Sequence, residues 1–179
     1  GRLRGIFKYR RDDGCMSFWT LETKADIGIC GYANTLENLF REMSLGMINL
    51  VISQQQANEI NAITRHTAQW NVKIETTFDD YESLMLSWLE EVLYQLEVKE
   101  KFLVDAQFML SRQESCILCN AQVSFVNANE VTRNLEIKAV TSHEFMIREL
   151  RPREIFRAKD SMIPELAGPA WVGQVIFDI

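Results

Sequence analysis

The sequence predicts an α+β domain in which a mostly antiparallel sheet packs with two main amphipathic helices. Two segments repeat apolar residues at intervals of three and four, and several shorter ones alternate apolar with polar residues. A composition of 47% apolar and 25% charged residues over 179 positions suits a single hydrophobic core. No apolar run reaches the ~18 residues of a membrane-spanning helix. The most hydrophobic stretch, 45–52, is short and broken by Gly46 and Asn49.

Residues 1–16 are predicted to form a basic, flexible arm, because Arg2, Arg4, Lys8, Arg10 and Arg11 meet no acid before Asp12. The domain then runs from 17 to 179. Alternation predicts strands at Phe18–Leu21 and Ile27–Tyr32. The first helix follows, with Leu36, Leu39, Phe40, Met43, Met47, Leu50 and Val51 on its buried face, Asn34 as its cap and Glu37 completing a box. A strand at Trp70–Thr76 precedes the second helix, which starts after Asp79-Asp80 and buries Tyr81, Leu84, Met85, Trp88, Leu89, Val92 and Leu96. Its other face carries Glu82, Glu90 and Glu91. Further strands are predicted at Phe102–Leu110, Ile117–Val126, Leu135–Val140, Phe145–Leu150 and Trp171–Phe177. Between Arg151 and Pro169 three prolines and Gly168 break the pattern, and four bases make it cationic, so an inserted loop is expected at 151–169.

Charge and motif content exclude several function classes. The net charge is −6, and residues 12–147 carry nine bases against twenty acids. Such a body repels phosphate backbones, so RNA is expected to be met only indirectly, through a partner. Glycine-rich phosphate loops, nucleophile elbows and His-Glu-x-x-His motifs do not occur. Cys116 and Cys119 form only half a zinc knuckle, and the four thiols are expected to be reduced, as in a cytoplasmic protein. The start, Gly1-Arg2-Leu3-Arg4, has no apolar leader, which also favours the cytoplasm.

The residues that could carry chemistry are few. Of the two histidines, His66 lies in a polar stretch without an evident role, whereas His143 stands beside Glu144 after a strand bearing Lys138. Asp26 opens one strand and Asp178 closes another, next to Ile179. If they converge, these carboxylates suit a hard divalent cation such as Ca²⁺ or Mg²⁺; if not, they are solvated strand ends.

Several pieces recur in order: Ala25-Asp26-Ile27-Gly28-Ile29, Thr35-Leu36-Glu37-Asn38-Leu39-Phe40, Trp88-Leu89-Glu90-Glu91-Val92-Leu93-Tyr94, Glu136-Ile137-Lys138-Ala139-Val140-Thr141 with His143, and Val175-Ile176-Phe177-Asp178-Ile179. On these the chain resembles the archease family. The resemblance implies a protein cofactor, not itself a catalyst, that activates an RtcB-type RNA ligase in tRNA splicing by promoting its guanylylation and multiple turnover. It also implies a divalent-metal site, Ca or Mg, on Asp26, Asp178 and Ile179, with Lys138 and His143 as functional, partner-facing residues. Where the family usually reads His-Thr-Ala-Asp, this chain has Thr23-Lys24-Ala25-Asp26, which sets a cation beside the carboxylate. Two other readings stay open: a binding or chaperone-like module on the same fold that has lost the metal function, and a metal-dependent phosphodiesterase using Asp26, Asp178 and His143.

Overall fold

The computed structural model describes residues 8–10, 17–22, 26–160 and 163–179. Thr23, Lys24 and Cys15 lie outside the described residues, as does most of the arm predicted at 1–16. Within that stretch β1 (Lys8–Arg10) pairs with β2 (Ser17–Glu22), Lys8 opposite Trp19 and Arg10 opposite Ser17.

The chain continues through β3 (Asp26–Ala33), α1 (Leu36–Leu50), the short α2 (Gln54–Glu59) and β4 (His66–Glu75). Next come α3 (Tyr81–Glu97), β5 (Lys101–Arg112), β6 (Cys116–Asn127) and β7 (Ala139–Leu150). Two short strands, β8 (Ile155–Phe156) and β9 (Leu166–Ala167), precede β10 (Ala170–Asp178). The single sheet of the expectation is resolved into a five-stranded sheet in the order β1-β2-β3-β10-β7, a three-stranded sheet β4-β6-β5 and the hairpin β8-β9. All the strand pairs are antiparallel.

The two main helices lie between the larger sheets. α1 packs on β2, β3 and β10 and also on β5, while α3 packs on β7 and on β4, β5 and β6. One apolar core therefore joins both sheets, with Ile29, Phe177, Phe40, Trp88 and Phe102 all within it. A helix held between two sheets has no polar face to spare, which is why α1 buries Glu42, Ser44, Leu45, Gly46 and Ile48 beyond its predicted stripe, while Leu50 stays only half-buried. Gly46 is required by close approach: a Cβ there would stand 2.9 Å from Ile29 Cδ1 and 3.2 Å from the Phe18 ring.

Other details depart from the sequence pattern. α1 is capped by Thr35, whose hydroxyl accepts from the Asn38 N–H at 3.1 Å; Asn34 instead accepts from the Asn38 side chain at 2.9 Å. Glu37 is then the second helical residue, one short of the position a capping box needs. The strands predicted at Leu135–Val140 and Phe145–Leu150 are one strand, β7, and 135–138 is irregular. β7 faces β10 continuously except between Thr141, opposite Ile176, and Met146, opposite Gln174, so residues 142–145 bulge out of the ladder.

The described part of 151–169 holds the short hairpin β8-β9 within irregular chain and covers part of the sheet. Its hairpin lies on the face of the five-stranded sheet opposite the helices, where Ile163 and Leu166 bury Trp19, Leu21, Cys30, Leu150 and Val172 in a second small core. The Tyr32 hydroxyl donates to the Ala167 carbonyl at 2.7 Å and ties the cover to β3. No helix among the described residues is long and apolar enough to cross a membrane.

Candidate functional site

The ladder between β3 and β10 brings the two aspartates together. Asp178 stands directly opposite Asp26, one step beyond the Phe177–Ile27 pair. Facing residues of an antiparallel pair share one side of the sheet, with Cβ atoms about 4.5–5.5 Å apart. Ile27 and Phe177 point into the main core, so period-2 alternation turns Asp26 and Asp178 to the opposite side. On β7 the residue level with Asp178 is Ala139, and the next pair on the same side is Gly28 with Ile176, whose side chain lies over the glycine. Like charges at facing ladder positions cost stability. Here they end the two central strands of the sheet.

Ile179 and Lys138 complete this end of the molecule. The Ile179 side chain packs against the main core, which fixes the main chain after Asp178. The Lys138 main-chain N–H donates to the Asp178 carbonyl at 2.7 Å, while its side chain is exposed beside the buried Ile137. Thus Asp26, Asp178, Ile179 and Lys138 converge, although they come from distant parts of the sequence.

His143 does not join them. It lies in the bulge of β7, exposed, 3.9 Å from Glu144, whose carboxylate also has Lys159 at 4.0 Å. Glu144 takes a left-handed backbone (φ 54°), and its carbonyl accepts from Gln174 Nε2 at 3.1 Å. A phosphodiesterase using His143 with the aspartates is not assembled by this geometry.

The thiols of Cys30 and Cys119 are not chemical centres. Burial pushes Cys30 and Cys119 up to about 12, so both stay protonated and serve as small apolar fillers. Cys116 and Cys119 are three apart on β6 and so point to opposite faces, which no chelating pair can do. Among the described residues no group of three or more His, Cys, Asp or Glu is arranged to hold a metal ion. The aspartate pair alone offers two hard oxygen donors, a set that fits a divalent ion completed by water or by a partner's phosphate oxygens.

Two hollows among the described residues bear on the site. The larger, about 640 Å³, lies beneath α2 against Ile48, Ile60 and Phe102 and contains neither aspartate. The other, about 510 Å³, runs between α3 and residues 136–140 and includes Lys138. Sequence reasoning took Glu90 only as part of a solvated helix face; its spacing with Leu93, Tyr94 and Glu97, by three and four, is the signal that marks a lining stripe.

Comparison with known proteins gives the family and the fold. The family model described as "Archease protein family (MTH1598/TM1083)" fits residues 18–179. Protein archease of Methanosarcina acetivorans is 29% identical over 163 residues, covering 89% of this chain and 93% of that protein. Protein archease of Pyrococcus furiosus is 25% identical over 131 residues, 72% of this chain and 86% of its own length, and that of Danio rerio is 25% identical over 144 residues, 76% and 80%. The solution structure of Methanobacterium thermoautotrophicum protein 1598 shares the fold, with a TM-score of 0.58 and 21% identity over 90% of this chain and 98% of that one. With the match extending from β2 to the last residue of the paired-aspartate end, this chain belongs to the archease protein family.

Proposed function

We propose that this protein is the activating partner of an RtcB-type RNA ligase, promoting guanylylation of that enzyme so that it joins tRNA halves over many turnovers. The carrying observation is the facing pair Asp26 and Asp178 with Lys138 hydrogen-bonded to the Asp178 main chain. In this reading the two carboxylates, with a main-chain oxygen of Ile179, hold Ca²⁺ or Mg²⁺. Such an ion supplies charge neutralisation at phosphate oxygens during nucleotidyl transfer. The protein's own groups do the rest: the aspartates end two central strands and so are held in register, and the exposed Lys138 ammonium offers a second cation to a phosphate. The acidic body keeps RNA off this surface, so RNA is reached through the ligase.

A second reading is an archease-fold binding or chaperone-like module without metal, favoured by the lack of a three-ligand cluster among the described residues. One experiment separates the two. Thermal melts with and without Ca²⁺ or Mg²⁺, and counts of RNA joins per ligase, are taken for the parent and the Asp26→Asn/Asp178→Asn protein. The parent is expected to gain about 2.7 kcal/mol at a metal concentration a hundredfold above its Kd, and to raise the joins. The double variant is expected to stay folded and do neither. An equal metal-induced shift in both proteins overturns the metal site, and no increase in joins with the parent leaves the binding module.

A further inference from the structure

α3 is charged against its own dipole. It carries Glu82, Glu90, Glu91 and Glu97 and no Lys or Arg, with three of those acids in its C-terminal half, where the helix end is already negative. That half borders the 510 Å³ groove: Leu93, Tyr94, Ile137 and Val140 give it apolar surface, and Glu90, Glu97 and Glu136 line its rim. Tyr94 is 44% exposed although large and aromatic.

The rim already draws cations from the chain itself. Arg133 lies 2.7 Å from Glu97, and the Lys99 ammonium sits 6.0 Å from the centre of the Tyr94 ring. Glu90 and Glu136 are exposed and have no ion-pair partner among the described residues. Apolar surface between two such carboxylates is complementary to a basic segment with an apolar residue between its charges.

We infer that the groove between α3 and residues 136–140 is a docking site for a Lys/Arg-rich segment of a protein partner, whose cations meet Glu90 and Glu136 and whose apolar side chain lies on Tyr94. The groove contains Lys138 and Ala139, and Ala139 is level with Asp178 on the ladder. A partner held there lies at the edge of the sheet level with the paired aspartates, which turn to the other side of that sheet. This deepens the functional reading, and rests on it only in taking that partner to be the ligase.

The test uses the Glu90→Lys/Glu136→Lys protein and, separately, Tyr94→Ala. Each is assayed for ligase activation against its own concentration, and for binding of a fluorescein-labelled peptide alternating Lys and Leu. Charge reversal is expected to raise the concentration for half-maximal activation by about tenfold or more while the plateau stays, since the aspartates are untouched. It should also abolish peptide binding and its salt dependence. Tyr94→Ala should weaken both without changing that salt dependence. Unchanged half-maximal concentration, or a lowered plateau alone, overturns the docking site. If the parent does not activate the ligase, the functional reading fails by itself, and the peptide decides: binding lost on charge reversal upholds the groove, and equal binding overturns it. Melts of both variants match the parent if folding is intact; a variant that melts lower is replaced by Glu90→Gln/Glu136→Gln, for which the same outcomes hold.

Discussion

Ser44 shows how much one buried hydroxyl can hold. Its Oγ donates to the Phe40 carbonyl at 2.6 Å and accepts from Trp88 Nε1 at 2.7 Å, with no exposure to water. The bond ties α1 to α3 at the centre of the core, where the Trp88 ring also meets Phe108 edge-on at 5.0 Å. Ser44→Ala removes the acceptor and leaves the indole N–H unpaired, at a cost of about 1–3 kcal/mol. Urea unfolding of the variant measures this. Lys138 is the opposite case, since its side chain is exposed and only its main chain is engaged. Lys138→Ala is expected to change stability by less than ~0.5 kcal/mol, yet to lose ligase activation. A variant that is fully active, or unfolded, contradicts its assigned role.

Among the elements, the cover formed by β8 and β9 depends on Glu154. The Arg148 side chain donates to its carboxylate at 3.0 Å and the Arg151 main-chain N–H at 3.2 Å. These bonds, that of Arg148 foremost, hold the Glu154 carboxyl below the usual carboxylate range. A group depressed in the folded state contributes fully above its ordinary pKa, and that contribution is lost as pH falls through the depressed value. The Gly168 N–H, which donates to the Glu154 carbonyl at 2.9 Å, reports on the hairpin. Its hydrogen-exchange protection, corrected for intrinsic rates, is expected to fall in acid for the parent and to be lower but flat with pH for Glu154→Gln. The same acid loss in both proteins rules out Glu154 as the cause. The cover also uses two of the basic residues at 148–159: Arg148 pairs with Glu154 and Arg157 with Glu165, at 3.0 and 2.8 Å, so these two charges serve the hairpin.

At the scale of the molecule, both helices touch both large sheets, and a single core runs through all of them. Neither sheet can keep its apolar face dry without the helices, so unfolding is expected to be one cooperative transition. Amide exchange measured under native conditions is the check, with the slowest protons of β3 and β10 and those of β5 and β6 opening at the same free energy. A separation between the two sheets would show that each folds with its own helix. The small core under 151–169 lies outside this unit and is expected to open first, since far fewer buried side chains make it than make the main core.

The sequence by itself determined the fold class, both main helices, most strands and the family, because these follow from local periodicity and from short motifs kept in order. It also named Asp26, Asp178 and Ile179 at strand ends and, through the family resemblance, Lys138 within a strand, without giving the register that makes them neighbours. Only the tertiary structure decided that Asp26 faces Asp178, since register between strands separated by more than a hundred residues is set by the core that Ile27 and Phe177 share. It likewise placed His143 in the bulge at 142–145, which has no signature in an alternating pattern. The split into two sheets, the burial of α1 nearly all round and the role of 151–169 were illegible for the same reason: each depends on which surfaces meet. A residue's periodicity shows that it has a buried side, and only packing shows against what.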